Sequence, residues 1–103
     1  KRAPMKNTPI QVAGMAWYLA EDFSEIKALM EDGHKLHSSH AGWQAAAEQG
    51  EKSLSAKGVR VYRAIVRPAA FKAWCDARGL KLNAEARNQF AAGFAADEYS
   101  AGR

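Results

Sequence analysis

Only two stretches of this chain have the side-chain pattern of a β-strand, and they lie far apart. Residues 10–19 are rich in apolar and aromatic residues, with Val12, Ala16 and Tyr18 on one face and Ala13, Met15, Trp17 and Leu19 on the other. Residues 59–66 place Val59, Val61 and Ile65 on one face and Tyr62, Ala64 and Val66 on the other, interrupted by Arg60, Arg63 and then Arg67. Strands apolar on both faces are usually covered on both. Two strands are a poor sheet by themselves and leave two edges open. Helices must therefore supply the remaining layers. A second copy joined edge to edge across a twofold axis would extend the sheet to four strands, so a homodimer is expected.

The helical segments follow the strands in pairs. Phe23, Ile26, Leu29 and Met30 recur at helical spacing, with Asp22 or Ser24 as caps and Gly33 as the stop. After a turn, residues 39–57 form a longer helix with Trp43, Ala47, Gly50 and Leu54 on one stripe. Ser38 and Ser39 sit where caps belong, and Gly58 ends the element. Pro68 stops the second strand and suits a first helical turn. Phe71, Trp74 and Cys75 mark a short helix ending at Gly79. Asn83 caps a last helix, 84–98, with Ala86, Phe90, Gly93, Phe94 and Asp97 on one side. The fold class is α+β: a two-stranded sheet packed with four helices in the order β-α-α-β-α-α. Residues 1–9 read as a flexible arm, and 10–103 as a single domain.

The halves 10–57 and 58–98 rhyme. Gly33, Lys35-Leu36 and Ala45-Ala46 recur as Gly79, Lys81-Leu82 and Ala91-Ala92. Two readings fit: a duplicated β-α-α unit whose copies share one core, or two unrelated helix pairs each hinged at a glycine.

Apolar residues make up 48% of the 103 residues and charged residues 25%, a globular composition rather than a disordered one. The single cysteine, Cys75, rules out an intrachain disulfide. No apolar run is long enough to span a membrane, and no signal peptide is recognisable, so the expected location is the cytoplasm.

Chemistry-bearing constellations are few. His34, His37 and His40 are spaced by three and are the only metal-ligand candidates, with Asp32 nearby; the turn at Gly33 interrupts the helical register that would bring them together. Cys75 lies on an apolar stripe beside Trp74 and reads as a core residue. The acidic run Glu21, Asp22, Glu25, Glu31 and Asp32 suits the start of a helix and needs no catalytic explanation. No nucleophile arrangement and no phosphate-binding glycine loop can be assembled, so no catalytic residue and no cofactor is assigned.

Charge carries the clearest hint. Residues 58–103 hold eight basic and four acidic residues, whereas 1–57 are balanced. The basic set Arg60, Arg63, Arg67, Lys72, Arg78, Lys81 and Arg87 suits phosphate or carboxylate partners. A helix-turn-helix reading makes 69–78 the first helix and 83–95 the reader, presenting Arg87, Asn88 and Gln89 to bases. The same arginines could instead pair with the acidic first helix. The favoured reading is a non-enzymatic protein-interaction or regulatory protein with an unknown protein partner. The alternatives are a nucleic-acid-binding regulator using residues 60–87, and a metal-binding accessory protein using the three histidines.

Overall fold

The computed structural model describes residues 10–102; the arm expected over 1–9 lies outside them. Strand β1 spans Val12–Trp17 and strand β2 spans Arg60–Ile65. They pair in parallel, Val12 opposite Arg60 and Trp17 opposite Ile65. Between them run helices α1, Phe23–Leu29, and α2, His40–Ala56. After β2 come α3, Pro68–Arg78, and α4, Ala84–Ala101. The architecture is the α+β arrangement of two strands and four helices in the order read from the sequence. The connection permits parallel pairing: the long helical crossover returns the chain to the same end of the sheet, which no tight hairpin could do.

Helix ends show which local signals acted. Ser39 Oγ accepts from Gly42 N at 3.1 Å, and Asn83 Oδ1 accepts from Ala86 N at 3.0 Å, so both long helices start at their expected caps. Pro68 occupies the first turn of α3, and Gly79 closes it with φ +67°. The expected first helix is present but short: a 3-10 turn, Ala20–Asp22, leads into the seven-residue α1, whose N-cap Asp22 makes no side-chain capping hydrogen bond. Met30, not Gly33, ends α1. Gly33 begins a second 3-10 turn, and a Cβ there would lie 1.9 Å from Lys27 O. The two glycines of the rhyme thus do different work: Gly79 supplies a left-handed backbone, Gly33 a close approach.

The core gathers on both sides of the sheet. Phe71, Ile26, Val66 and Cys75 are its largest fully buried side chains. One aromatic group joins Trp17, Tyr18, Phe23 and Trp43, with Trp17 edge-on to Trp43 at 5.0 Å. A second joins Phe71, Trp74 and Phe90. The stripe expected on the last helix needs correction. Ala86, Ala91 and Ala95 are buried residues of α4, while Gly93 and Asp97 face out. Gly14 explains this. A Cβ there would lie 1.9 Å from Ala91 O, so β1 and α4 touch backbone to backbone. Only alanine-sized side chains fit at that spacing, and Phe90 turns toward α3.

Candidate interaction surfaces

The basic set is mostly paired within the chain. Arg63 forms a two-pronged contact with Glu51, both N···O distances 2.7 Å, and its guanidinium stacks 3.8 Å from the Trp17 ring centroid. Arg67 Nε lies 2.6 Å from Asp22 Oδ2, off the N–H axis, so this is an ion pair rather than an aligned hydrogen bond; Glu21 adds a longer contact at 3.5 Å. Lys72 pairs with Asp76 one turn on, at 2.8 Å. Arg78 lies over the Trp74 ring and donates to Trp74 O. Arg60 lies over the Tyr99 ring, and Lys81 is exposed.

Arg87 departs most from expectation. It is 7% exposed and donates to both oxygens of Asp32, at 2.9 and 3.1 Å. It cannot present itself to a base, so the reader assignment of Arg87 is corrected. Asn88 and Gln89 beside it are exposed. The hydrogen bond from Arg87 holds the Asp32 carboxyl below its ordinary pKa, against the opposing pull of burial. Burial works against the Arg87 charge, but the Asp32 hydrogen bond and the neighbouring Tyr18 leave its pKa raised. Tyr18 is itself pushed up by burial, with Arg87 partly offsetting. Glu31 N donating to Leu82 O at 2.8 Å closes the same junction. This cluster ties the loop after α1 to the start of α4.

The histidines do not converge. Among the described residues no group of three or more His, Cys, Asp and Glu side chains could hold a metal ion. His40 is half-buried, and its Nε2 donates to Tyr18 O at 2.7 Å, its ring packed against Phe23 and Trp43. His34 and His37 are exposed. Cys75 is fully buried, and burial pushes its thiol pKa up, away from reactive thiolate character. No helix among the described residues is long and apolar enough to cross a membrane.

The sheet edges are what remains open. In a parallel ladder, the N–H and C=O of one residue point to the same side and alternate along the strand. Arg60 N donates to Gln11 O, and Val66 N to Trp17 O. Odd-numbered residues of β1 therefore face β2, and Val12, Gly14 and Ala16 point their main-chain groups outward. Among the described residues nothing pairs with that row, which ends where His40 occupies Tyr18 O. Gly14 and Ala16 of that row line a groove of about 390 Å³ between α2 and α4, together with Met15, Trp43, Ala46 and Asn88. On β2, the outward row is Val61, Arg63 and Ile65. It borders a wider trough of about 510 Å³, walled by Glu48, Glu51, Lys52 and Ser55 of α2. Sequence reasoning anticipated two open edges but not these walls, because strand pairing and helix placement had to be known first.

Comparison with descriptions of known families, with curated proteins and with solved structures finds no match for this chain.

Proposed function

We propose that this chain is a non-enzymatic protein-interaction module, working as a homodimer, that receives an extended segment of another polypeptide along the edge of β1. The observation that carries the reading is the unpaired main-chain row of Val12, Gly14 and Ala16, of which Gly14 and Ala16 line a groove between two helices. Strand addition supplies affinity through main-chain hydrogen bonds and specificity through alternate side chains. Here the added residues would point alternately toward the α2 wall, with Ala46 and Ala47, and the α4 wall, with Asn88. Small or slender apolar side chains suit both.

The test uses a displayed library of random twelve-residue peptides (longer than the six residues of β1). Selected peptides should carry small or slender apolar side chains at successive positions and slow amide exchange at Val12, Gly14 and Ala16. Ala16→Pro removes one outward donor and no bond to β2, and should weaken selected peptides roughly five- to tenfold. Peptides that bind while leaving those amides unprotected would refute the reading.

A further inference from the structure

The β1 groove leaves the opposite edge unexplained. Ile65, on β2, is 47% exposed; with Ile10 it makes up the exposed large hydrophobic residues among those described. An exposed isoleucine on an open edge strand is a liability that proteins ordinarily cover or replace with charge. The charge on this edge, Arg63, does not serve that purpose. Its guanidinium is matched by Glu51 and folded flat onto Trp17.

We infer that the β2 edge is occupied by β2 of a second copy, running antiparallel, with the twofold axis at Arg63. This goes beyond the peptide-binding reading of β1 and does not depend on it; it assigns the dimer's seam. Three features of the surface fit a reversed copy of itself. First, a twofold at Arg63 places Val61 opposite Ile65 of the partner subunit, and Ile65 opposite Val61 of the partner subunit. Residues Val61, Arg63 and Ile65 are also those whose main-chain groups point outward, so each opposed pair exchanges hydrogen bonds. Second, the two central arginines meet as neutral units, each already bound by its own Glu51. Third, Glu48 and Lys52 stand one turn apart on the α2 wall of the trough. A twofold runs the partner's wall in the opposite direction, so the Glu48 end of each wall lies toward the Lys52 end of the other. A partner of unrelated sequence would have to match this alternation by chance, whereas a second copy matches it by symmetry.

The seam lies on the far side of the sheet from the β1 groove. The dimer would hold four strands in the order β1-β2-β2-β1, with both peptide grooves outermost and free.

The test is sedimentation of the full chain across a wide concentration range. A monomer–dimer equilibrium is expected. Ile65→Lys sets a charge against an apolar partner and should raise the dimer dissociation constant at least about tenfold. Because Ile65 is half exposed, circular dichroism and the melting of the monomer should be unchanged. Ile10→Lys, beside the other strand, should leave association intact. Glu48→Lys alone should weaken the dimer, and adding Lys52→Glu should restore it, since the exchanged signs again oppose. A chain that stays monomeric at every concentration overturns the inference. So does a dimer that survives Ile65→Lys, or one that Ile10→Lys dissociates. A chain that stays monomeric would also remove the homodimer from the proposed function, but it leaves amide protection of β1 by peptides as it was, so the seam and the peptide groove fail separately.

Discussion

Arg87 is buried with its charge, and Asp32 is the reason this is tolerated. Desolvating a guanidinium is costly unless a carboxylate meets it in good geometry, and here both oxygens do. Removing one partner strands the other. Arg87→Leu should therefore destabilise the fold by about 3 kcal/mol or more, read by urea denaturation. Acid should have a related effect. The pKa of Asp32 is lowered from 3.8 in the folded chain. Its contribution is complete above the unfolded value and is lost as pH falls through the lowered folded value. Urea midpoints should thus decline below about pH 4, and Asp32→Asn should flatten that part of the decline while starting from lower stability. A flat wild-type profile in acid would show that the pair contributes nothing. In the sequence Arg87 was one more cation in a basic segment. Its partner lies 55 residues away, and no local pattern marks that pairing.

At the level of elements, the spacing between β1 and α4 is decided by a missing methyl group. Gly14 permits the approach to Ala91 O, and Ala86, Ala91 and Ala95 fill what is left. Gly14→Ala should force strand and helix apart, at a cost of about 3 kcal/mol. Gly93, in the same helix, has open space where a methyl group would stand, with nothing within 4 Å. Gly93→Ala should stabilise the chain by up to about 1 kcal/mol, since only the flexibility of the unfolded chain is reduced. Both changes are read from urea midpoints, and equal effects at the two positions would contradict the close approach. Caps and breakers such as Ser39, Asn83, Pro68 and Gly79 were legible because they act within one turn of themselves. The buried side of α4 was not, because Phe90 and Phe94 looked like the core stripe when the strand opposite was unknown.

For the whole molecule, the basic excess is less available than its count suggests. Four of the seven cations between residues 60 and 87 face carboxylates of the same chain: Arg63, Arg67, Lys72 and Arg87. The exposed pairs of Arg63, Arg67 and Lys72 add little to the fold, yet together with the buried Arg87–Asp32 pair they lower the net field that a polyanion would feel. Binding to a duplex oligonucleotide should be weak at low salt and should involve few released counterions, giving a shallow dependence on salt concentration. A steep dependence that Arg78→Ala together with Lys81→Ala abolishes would instead favour the nucleic-acid alternative. Fluorescence anisotropy over a salt series distinguishes the two.

Local chemistry settled the element types, their order and most of their ends, because strand alternation, helical spacing and capping operate within a few residues. It also settled that two strands would leave edges exposed. Only the tertiary structure decided that the strands run parallel, that alanines rather than phenylalanines of α4 meet the sheet, and that Arg87 lies inside while Ile65 lies outside. Each of those outcomes depends on groups brought together from distant parts of the chain, where the distance of closest approach and the partner of each charge are set by packing.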